Sequence, residues 1–308
     1  AQYDKLRKQA PGYFWTQYLN AALMARAGRM EEAHASALKV LRVVPEHLPA
    51  TLIAAGAELQ KGETLIAEKR LLSIGKSYPN SVARIELLAQ SYLRNGRLDD
   101  ANEMIRNGLA LDAQNKQLLS LKADVALQRK DARVAAASLE VLLKADPNDA
   151  YALLRQAQMQ RDKPEAALAL LQKAAAATQD QGLHDQIIAT VLRLGNKTSA
   201  RKFADDIVKA RPDFPATRLS LAAVMRAQGE NDAARKEVLA VLDKQPTYAP
   251  ALAALDLISE TPAQRDELLQ RYATATKTKG SDAQAFLAYA RQLQAAGKTE
   301  PSPTQVLD

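Results

Sequence analysis

There is no cysteine among the 308 residues, which removes disulfides, thiolate catalysis and thiolate metal ligation from consideration and leaves the compartment open. Aromatic residues are scarce at 5%, with a single tryptophan, so a face that stacks nucleic-acid bases has little to build on. The three histidines, His34, His47 and His184, have no partner at helical spacing, and neither a metal site nor a nucleophile-activating base is expected. No apolar run approaches the ~18 residues of a membrane span. The excess of basic over acidic residues is small, 42 against 35, for a net charge of +7. Such a balance permits an anionic partner without demanding one.

What is present in quantity is alanine and leucine, in a chain whose hydrophobic content is 47%. That mix favours thin helices packed side by side, and the length is too great for one comfortable core. The chain also repeats itself. Gly28, Gly62 and Gly96 recur at one interval, and Gly195 and Gly229 share it. Five residues after each stands a small residue: Ala33, Ala67, Ala101, Ala200 and Ala234. A breaker follows at Pro45, Pro79, Pro212 and Pro246, with Ala113 in that slot once and Pro147 one interval later. Lys130 takes the glycine slot in the intervening unit, with Ala135 behind it. The pattern predicts helix pairs: the glycine closes a first helix in a left-handed turn, the alanine lets a second helix approach closely, and the proline ends it. Apolar residues at helical spacing agree, as in Ile85, Leu88, Ala89 and Tyr92, then Ala101, Ile105 and Leu109.

On these residues the chain resembles the tetratricopeptide repeat (TPR) family; Leu221, Ala222, Met225, Ala234, Val238, Val241 and Pro246 fit its pattern again. The resemblance implies an all-α, right-handed α-solenoid of tandem helix hairpins forming one domain over 1–308. The units fall near 14–47, 48–81, 82–115, 116–149, 150–180 (short), 181–214, 215–248 and 249–280 (degenerate), with partial units at 1–13 and 281–308. The short unit lacks roughly three residues at its central turn, where Pro164 begins the second helix. In the degenerate unit Leu268 replaces the small residue, and Thr261, Pro262 and Gln264 form a capping-box signature. The opening AQYDKLRKQAPG reads as the tail of a helix already under way, so part of a longer protein is expected.

The adjacent carboxylates Asp99 and Asp100 raise the question of an acid pair for catalysis. On a helix they point about 100° apart and cannot share a proton; acidic residues in a first turn favour the helix dipole instead. The GKT at Gly297–Thr299 lacks the upstream glycine and strand of a phosphate-binding loop. No catalytic residue, cofactor or metal ligand is expected, and the chain is read as non-catalytic.

In the family the first helices line a concave groove. Carried onto this sequence, the groove candidates are Trp15, Tyr18, Arg26, Gln90, Arg94, Tyr151, Arg161, Arg193 and Arg226. Trp15 and Tyr18 read either as a ligand platform or as helix-packing aromatics. Arginines near the ends of first helices read either as a ladder for carboxylates or as cations placed favourably at helix C-termini. The lysine and asparagine pairs of the family's carboxylate clamps are missing, so chaperone tails are not the expected partner. The implied function is a scaffold for a protein or peptide partner. Phrases such as VPEHLPATLIAAGAELQKGE and LLAQSYLRNGRLDDA are similar to bacterial repeat proteins of exopolysaccharide export and the PEP-CTERM/exosortase system, implying a periplasmic or envelope-associated protein, with the cytoplasm as alternative. Two other functions stay open: the recognition arm of an enzyme whose catalytic domain lies elsewhere, and direct binding of an acidic polysaccharide. Nucleic acid is not an expected partner.

Overall fold

The structure is a computed structural model, and it describes residue 10 and residues 12–160, 162–277 and 289–294. Arg161, Gly297–Thr299 and most of the partial units at 1–13 and 281–308 lie outside the described residues. Within them every regular element is helical. The helices are α1 (Phe14–Arg26), α2 (Met30–Val43), α3 (Leu48–Lys61), α4 (Thr64–Ser73), α5 (Val82–Arg94), α6 (Leu98–Leu111), α7 (Lys116–Gln128) and α8 (Ala132–Ala145). There follow α9 (Ala150–Met159), α10 (Pro164–Ala177), α11 (Gln181–Arg193), α12 (Lys197–Ala210), α13 (Pro215–Ala227), α14 (Asn231–Lys244), α15 (Ala249–Asp256) and α16 (Pro262–Lys277). The chain gathers into two compact halves, residues 1–155 and 156–308.

The repeated letters have repeated geometry. Gly28, Gly62, Gly96, Gly195 and Gly229 all have φ between 72° and 86°. At Gly96 the amide donates to the Leu93 carbonyl at 3.1 Å and the next amide, Arg97, reaches the Tyr92 carbonyl at 2.9 Å. Those two bonds close the orphan carbonyls of α5 in a Schellman motif. Lys130 makes the same pair of bonds, through itself and Asp131, at φ 61°, a conformation disfavoured for a residue with a Cβ. The alanines five residues on, including Ala135, are 0% exposed, because a second helix crosses the first at these points.

First helices start at residues 14, 48, 82, 116 and 150, and their second helices 16 residues later in all but the last of these, where Pro164 comes after only 14. From the start of α10 to the start of α11 is 17 residues, against 18 between the corresponding starts elsewhere. The short repeat therefore loses two residues at its central turn and one at the link that follows it. In α16 the cap forms reciprocally: the Thr261 amide donates to Gln264 Oε1 at 3.1 Å, and the Gln264 amide to Thr261 Oγ1 at 3.3 Å.

In the N-terminal half the first helices α1, α3, α5 and α7 each pack on the next, whereas the second helices make no packing of that extent among themselves. The same holds for α11, α13 and α15 in the C-terminal half. A double layer with one side in contact and the other spread curves toward the contacting side, so each half presents its first helices inward.

Ion pairs tie one repeat to the next. Asp99 pairs with Arg129, and Arg97 bridges Asp100 and Glu68, both at 2.6 Å. The adjacent aspartates thus belong to two different clamps. One carboxylate is sunk into the N-terminal half: Glu58, 1% exposed, takes Arg70 Nη2 at 2.5 Å from α4 and lies 3.1 Å from His34 Nε2 of α2. A charge removed from water is tolerated only when paired and hydrogen-bonded in this way.

Candidate binding face

The helix starts define a common register for the first helices. Gln90, Asp124, Ala189 and Ala223 each lie eight residues after a start, and Glu86, Ser120, Asp185 and Leu219 each lie four. On α5 and α7 these positions are polar and on α11 and α13 they are alanine, leucine and one aspartate, while α1 and α3 carry Ala22 and Gly56 at the later one.

In the N-terminal half the face is filled and cross-tied. Tyr18 packs with Phe14 on the core formed by Ala21, Ala37, Val40 and Ala54. Its ring meets His47 edge-on at 5.0 Å, and burial pushes the His47 pKa down. Trp15 touches Phe14 and Tyr18 at 5.0 and 6.2 Å and remains 52% exposed. Gln90 is half-buried and Arg94 exposed, one turn apart on α5; the Arg94 guanidinium donates to the Leu59 carbonyl, tying α5 to α3. The Tyr151 hydroxyl donates to the Ser120 carbonyl at 2.9 Å. Arg155 lies over the Tyr151 ring at 4.8 Å and pairs with Asp124 at 2.8 Å. Burial, with the Asp124 charge beside it, drives the Tyr151 phenol far above its ordinary pKa. Tyr151 is a strut between repeats.

The C-terminal half differs. Arg193 folds back on its own helix, to the Ala189 carbonyl at 3.3 Å and Thr190 Oγ1 at 3.0 Å. Arg226 is exposed at the end of α13, 11 residues after the helix start, whereas Arg26, Arg94 and Arg193 come 12 after theirs. It is rotated about 100° from their line. All four arginines are exposed; Arg94 and Arg193 are tethered to backbone, and Arg226 is out of register with the other three.

In the C-terminal half opens a trough of about 440 Å³ lined by Asp185, Ile188 and Ala189 of α11, Ala216, Leu219, Ser220 and Ala223 of α13, and Tyr248 and Pro250 at the head of α15. The small residues on facing helices leave the hollow. Asp185 is the only charged residue in its lining. Gln181 Nε2 donates to Asp185 Oδ1 at 2.9 Å and also lies 2.8 Å from Ser220 Oγ, while the Ser220 hydroxyl lies against both Asp185 and the Ala216 carbonyl. Burial and the Asp185 charge raise the Tyr248 pKa. None of Asp185, Leu219, Ala223 and Tyr248 is among the groove residues read from the sequence. The signal available for them is the seven-residue spacing of small residues, Gly182 to Ala189 and Ala216 to Ala223, which puts both members of each pair on one face.

A second hollow of about 310 Å³ lies between α10, α11 and α12, walled by Phe203, Ile207 and Arg211. The buried His184 borders it, and its Nε2 lies 3.4 Å from the Ala175 carbonyl. Among the described residues no group of three or more His, Asp or Glu gathers as a metal site, and no helix is long and apolar enough to cross a membrane.

A family model described as the tetratricopeptide repeat matches residues 87–150 and 120–182. Among solved structures, the fold is similar to a tetratricopeptide repeat protein from Parabacteroides merdae, at 13% identity over 84% of this chain and 100% of that one, with a TM-score of 0.54. Human IFIT1, solved as a dimer with m7Gppp-AAAA, is similar at 13% identity over 90% of this chain and 66% of that one, with a TM-score of 0.58. A chain of the APC/C hetero-tetramer Cut9-Hcn1 is similar at 15% identity over 94% of this chain and 58% of its own length, with a TM-score of 0.50. No curated protein matches the chain in sequence. Residues 87–182 thus carry the tetratricopeptide repeat, and the described helices share the α-solenoid fold of such repeats.

Proposed function

We propose that this chain is a non-catalytic interaction scaffold that holds a segment of a protein partner against the first-helix face of its C-terminal half. The observation that carries this reading is the trough across α11, α13 and α15, a hollow of about 440 Å³ on the face that α5 and α7 of the other half cover with side chains tied between repeats. Hollows that keep small side chains around a few placed polar groups are where ligands are bound. One structural neighbour, IFIT1, is solved with a capped RNA; a carboxylate as the single charge of the trough disfavours a polyanion here, whether nucleic acid or acidic polysaccharide.

The test is a photo-crosslinking amino acid placed at Ala223, within the trough, or at Lys202, exposed on the second helix α12. In source cells, protein adducts at position 223 and none at 202 are expected. Equal labelling at both positions, or labelling at 202 alone, rejects the trough as the binding face. The cellular setting belongs to the same proposal: the resemblance to exopolysaccharide-export and exosortase-associated proteins suggests the bacterial envelope. Recovery of the tagged chain with cytoplasmic markers alone removes that setting and leaves the scaffold reading intact.

A further inference from the structure

We infer that the segment seated in the trough carries a lysine or arginine among small or branched apolar side chains, with its cation placed on Asp185. The inference rests on the proposed function above and gives its partner a chemistry. It also reverses the charge expected from the arginines alone.

The protein as a whole is basic, at +7, yet its hollow is not. Ile188, Ala189, Ala216, Leu219, Ala223 and Pro250 make the walls apolar, and Asp185 alone gives them a charge. Other aspartates of the chain are taken by cations of the neighbouring repeat: Asp99 by Arg129, Asp124 by Arg155, Asp243 by Arg271. Asp185 is held only by neutral donors, Gln181 Nε2 and Ser220 Oγ; among the described residues no lysine or arginine pairs with it. Acceptors are in surplus around it, since the Oε1 of the same Gln181 is buried without a donor.

Arg193 of α11 and Arg218 of α13 are engaged elsewhere. Arg218 on α13 is neutralised by Glu237 at 2.8 Å. Arg193 stands eight residues along α11, about 12 Å away by helix rise, and is bonded to its own helix. That separation exceeds the screening length of about 8 Å at physiological salt. A carboxylate fixed by neutral donors at an apolar wall attracts a group that brings positive charge and several N–H donors together, as lysine and arginine do. The flanking wall of alanine, leucine and isoleucine then selects apolar neighbours for that cation, while acidic segments meet a like charge.

The test uses the full 308-residue chain and a random twelve-residue peptide library displayed on phage, selected in parallel on the parent, Asp185→Asn and Ala223→Trp. Ala223 is exposed, so the indole fills the hollow without entering the core; circular dichroism of each variant checks that helix content is unchanged. Peptides enriched on the parent should carry lysine or arginine in an apolar stretch. The best of them, followed by fluorescence polarisation, should bind about three- to tenfold more weakly to Asp185→Asn, weaken with salt, and be lost on Ala223→Trp. Enriched peptides that are acidic or uncharged, yet lost on Ala223→Trp, overturn the cation and leave the trough as the binding face. Peptides that bind Ala223→Trp as well as the parent, or no enrichment at all, remove both the inference and the reading it rests on.

Discussion

On α5 and α7 of the N-terminal half the first-helix face is polar and crossed by ties between repeats, whereas on α11 and α13 of the C-terminal half it is open floor. Gln90 and Asp124 correspond in register to Ala189 and Ala223, and Glu86 and Ser120 to Asp185 and Leu219. In the first half Arg155 joins Asp124, Tyr151 joins Ser120, and Arg94 reaches back to Leu59. In the second half alanines at the corresponding sites leave a hollow with one carboxylate at its edge. One fold thus supports two uses of one face: side chains that span neighbouring repeats hold them together, and side chains too short to span them leave room for something else. If that division is correct, substitutions on the two sides should differ in kind, with stability lost in the first half and binding lost in the second.

The largest contrast is expected at two arginines paired with carboxylates, Arg70 and Arg235. Arg70 serves a carboxylate with no access to water, Glu58. Arg70→Met leaves that charge with only the His34 contact and should cost about 3–5 kcal/mol in urea unfolding, with much of the loss recovered by the double change Glu58→Leu/Arg70→Met. Arg235 is itself buried, but its partner Glu267, at 2.5 Å, is more than a third exposed. Arg235→Met leaves Glu267 able to keep water and should cost less than half as much. Equal losses would break the view that the N-terminal half is the more tightly cross-tied.

The hairpin architecture was legible because its determinants are local. A glycine at a left-handed turn, an alanine at a helix crossing and a proline after a helix each act within a few residues, and their recurrence survives the exceptions at Ala113 and Lys130. The reciprocal cap at Thr261 and Gln264 was legible for the same reason. The groove was less so. An arginine read from sequence has a charge but no direction: nothing in the letters says that Arg94 turns to the Leu59 carbonyl or that Arg193 folds onto α11, although the shifted register of Arg226, three residues before its repeat glycine where the others stand two before, was there to be read. A trough is harder still, since it is made by what is missing from three helices at once. Arg161, the remaining member of the arginine series, lies outside the described residues.

A smaller contrast is expected for the two tyrosines that border these faces. Tyr151→Phe removes a hydroxyl that bonds the Ser120 carbonyl at 2.9 Å and should destabilise the chain by about 1–1.5 kcal/mol. Tyr248→Phe in the C-terminal half alters the rim of the trough and should leave the urea midpoint nearly unchanged, within about 0.5 kcal/mol. If Tyr248→Phe costs as much as Tyr151→Phe, its hydroxyl is also a strut and the trough is less open than its lining implies.

The smallest effect exchanges the two halves at the turn itself. Lys130 and Gly229 occupy the same slot after α7 and α13, at φ 61° and 86°, and a Cβ at Gly229 meets nothing within 4 Å. Space is therefore not at issue, only backbone conformation. A lysine held left-handed is strained where glycine is not, although glycine also raises the entropy of the unfolded chain and offsets part of the gain. Lys130→Gly should stabilise by about 0.5–1 kcal/mol, and Gly229→Lys should cost a similar amount, both read from the urea midpoint. Because neither residue lines the trough, peptide binding should be unchanged in both variants. A change in affinity on Gly229→Lys without a change in stability would mean that the turn after α13 belongs to the binding face, and the boundary between tied and open surfaces would have to be redrawn there.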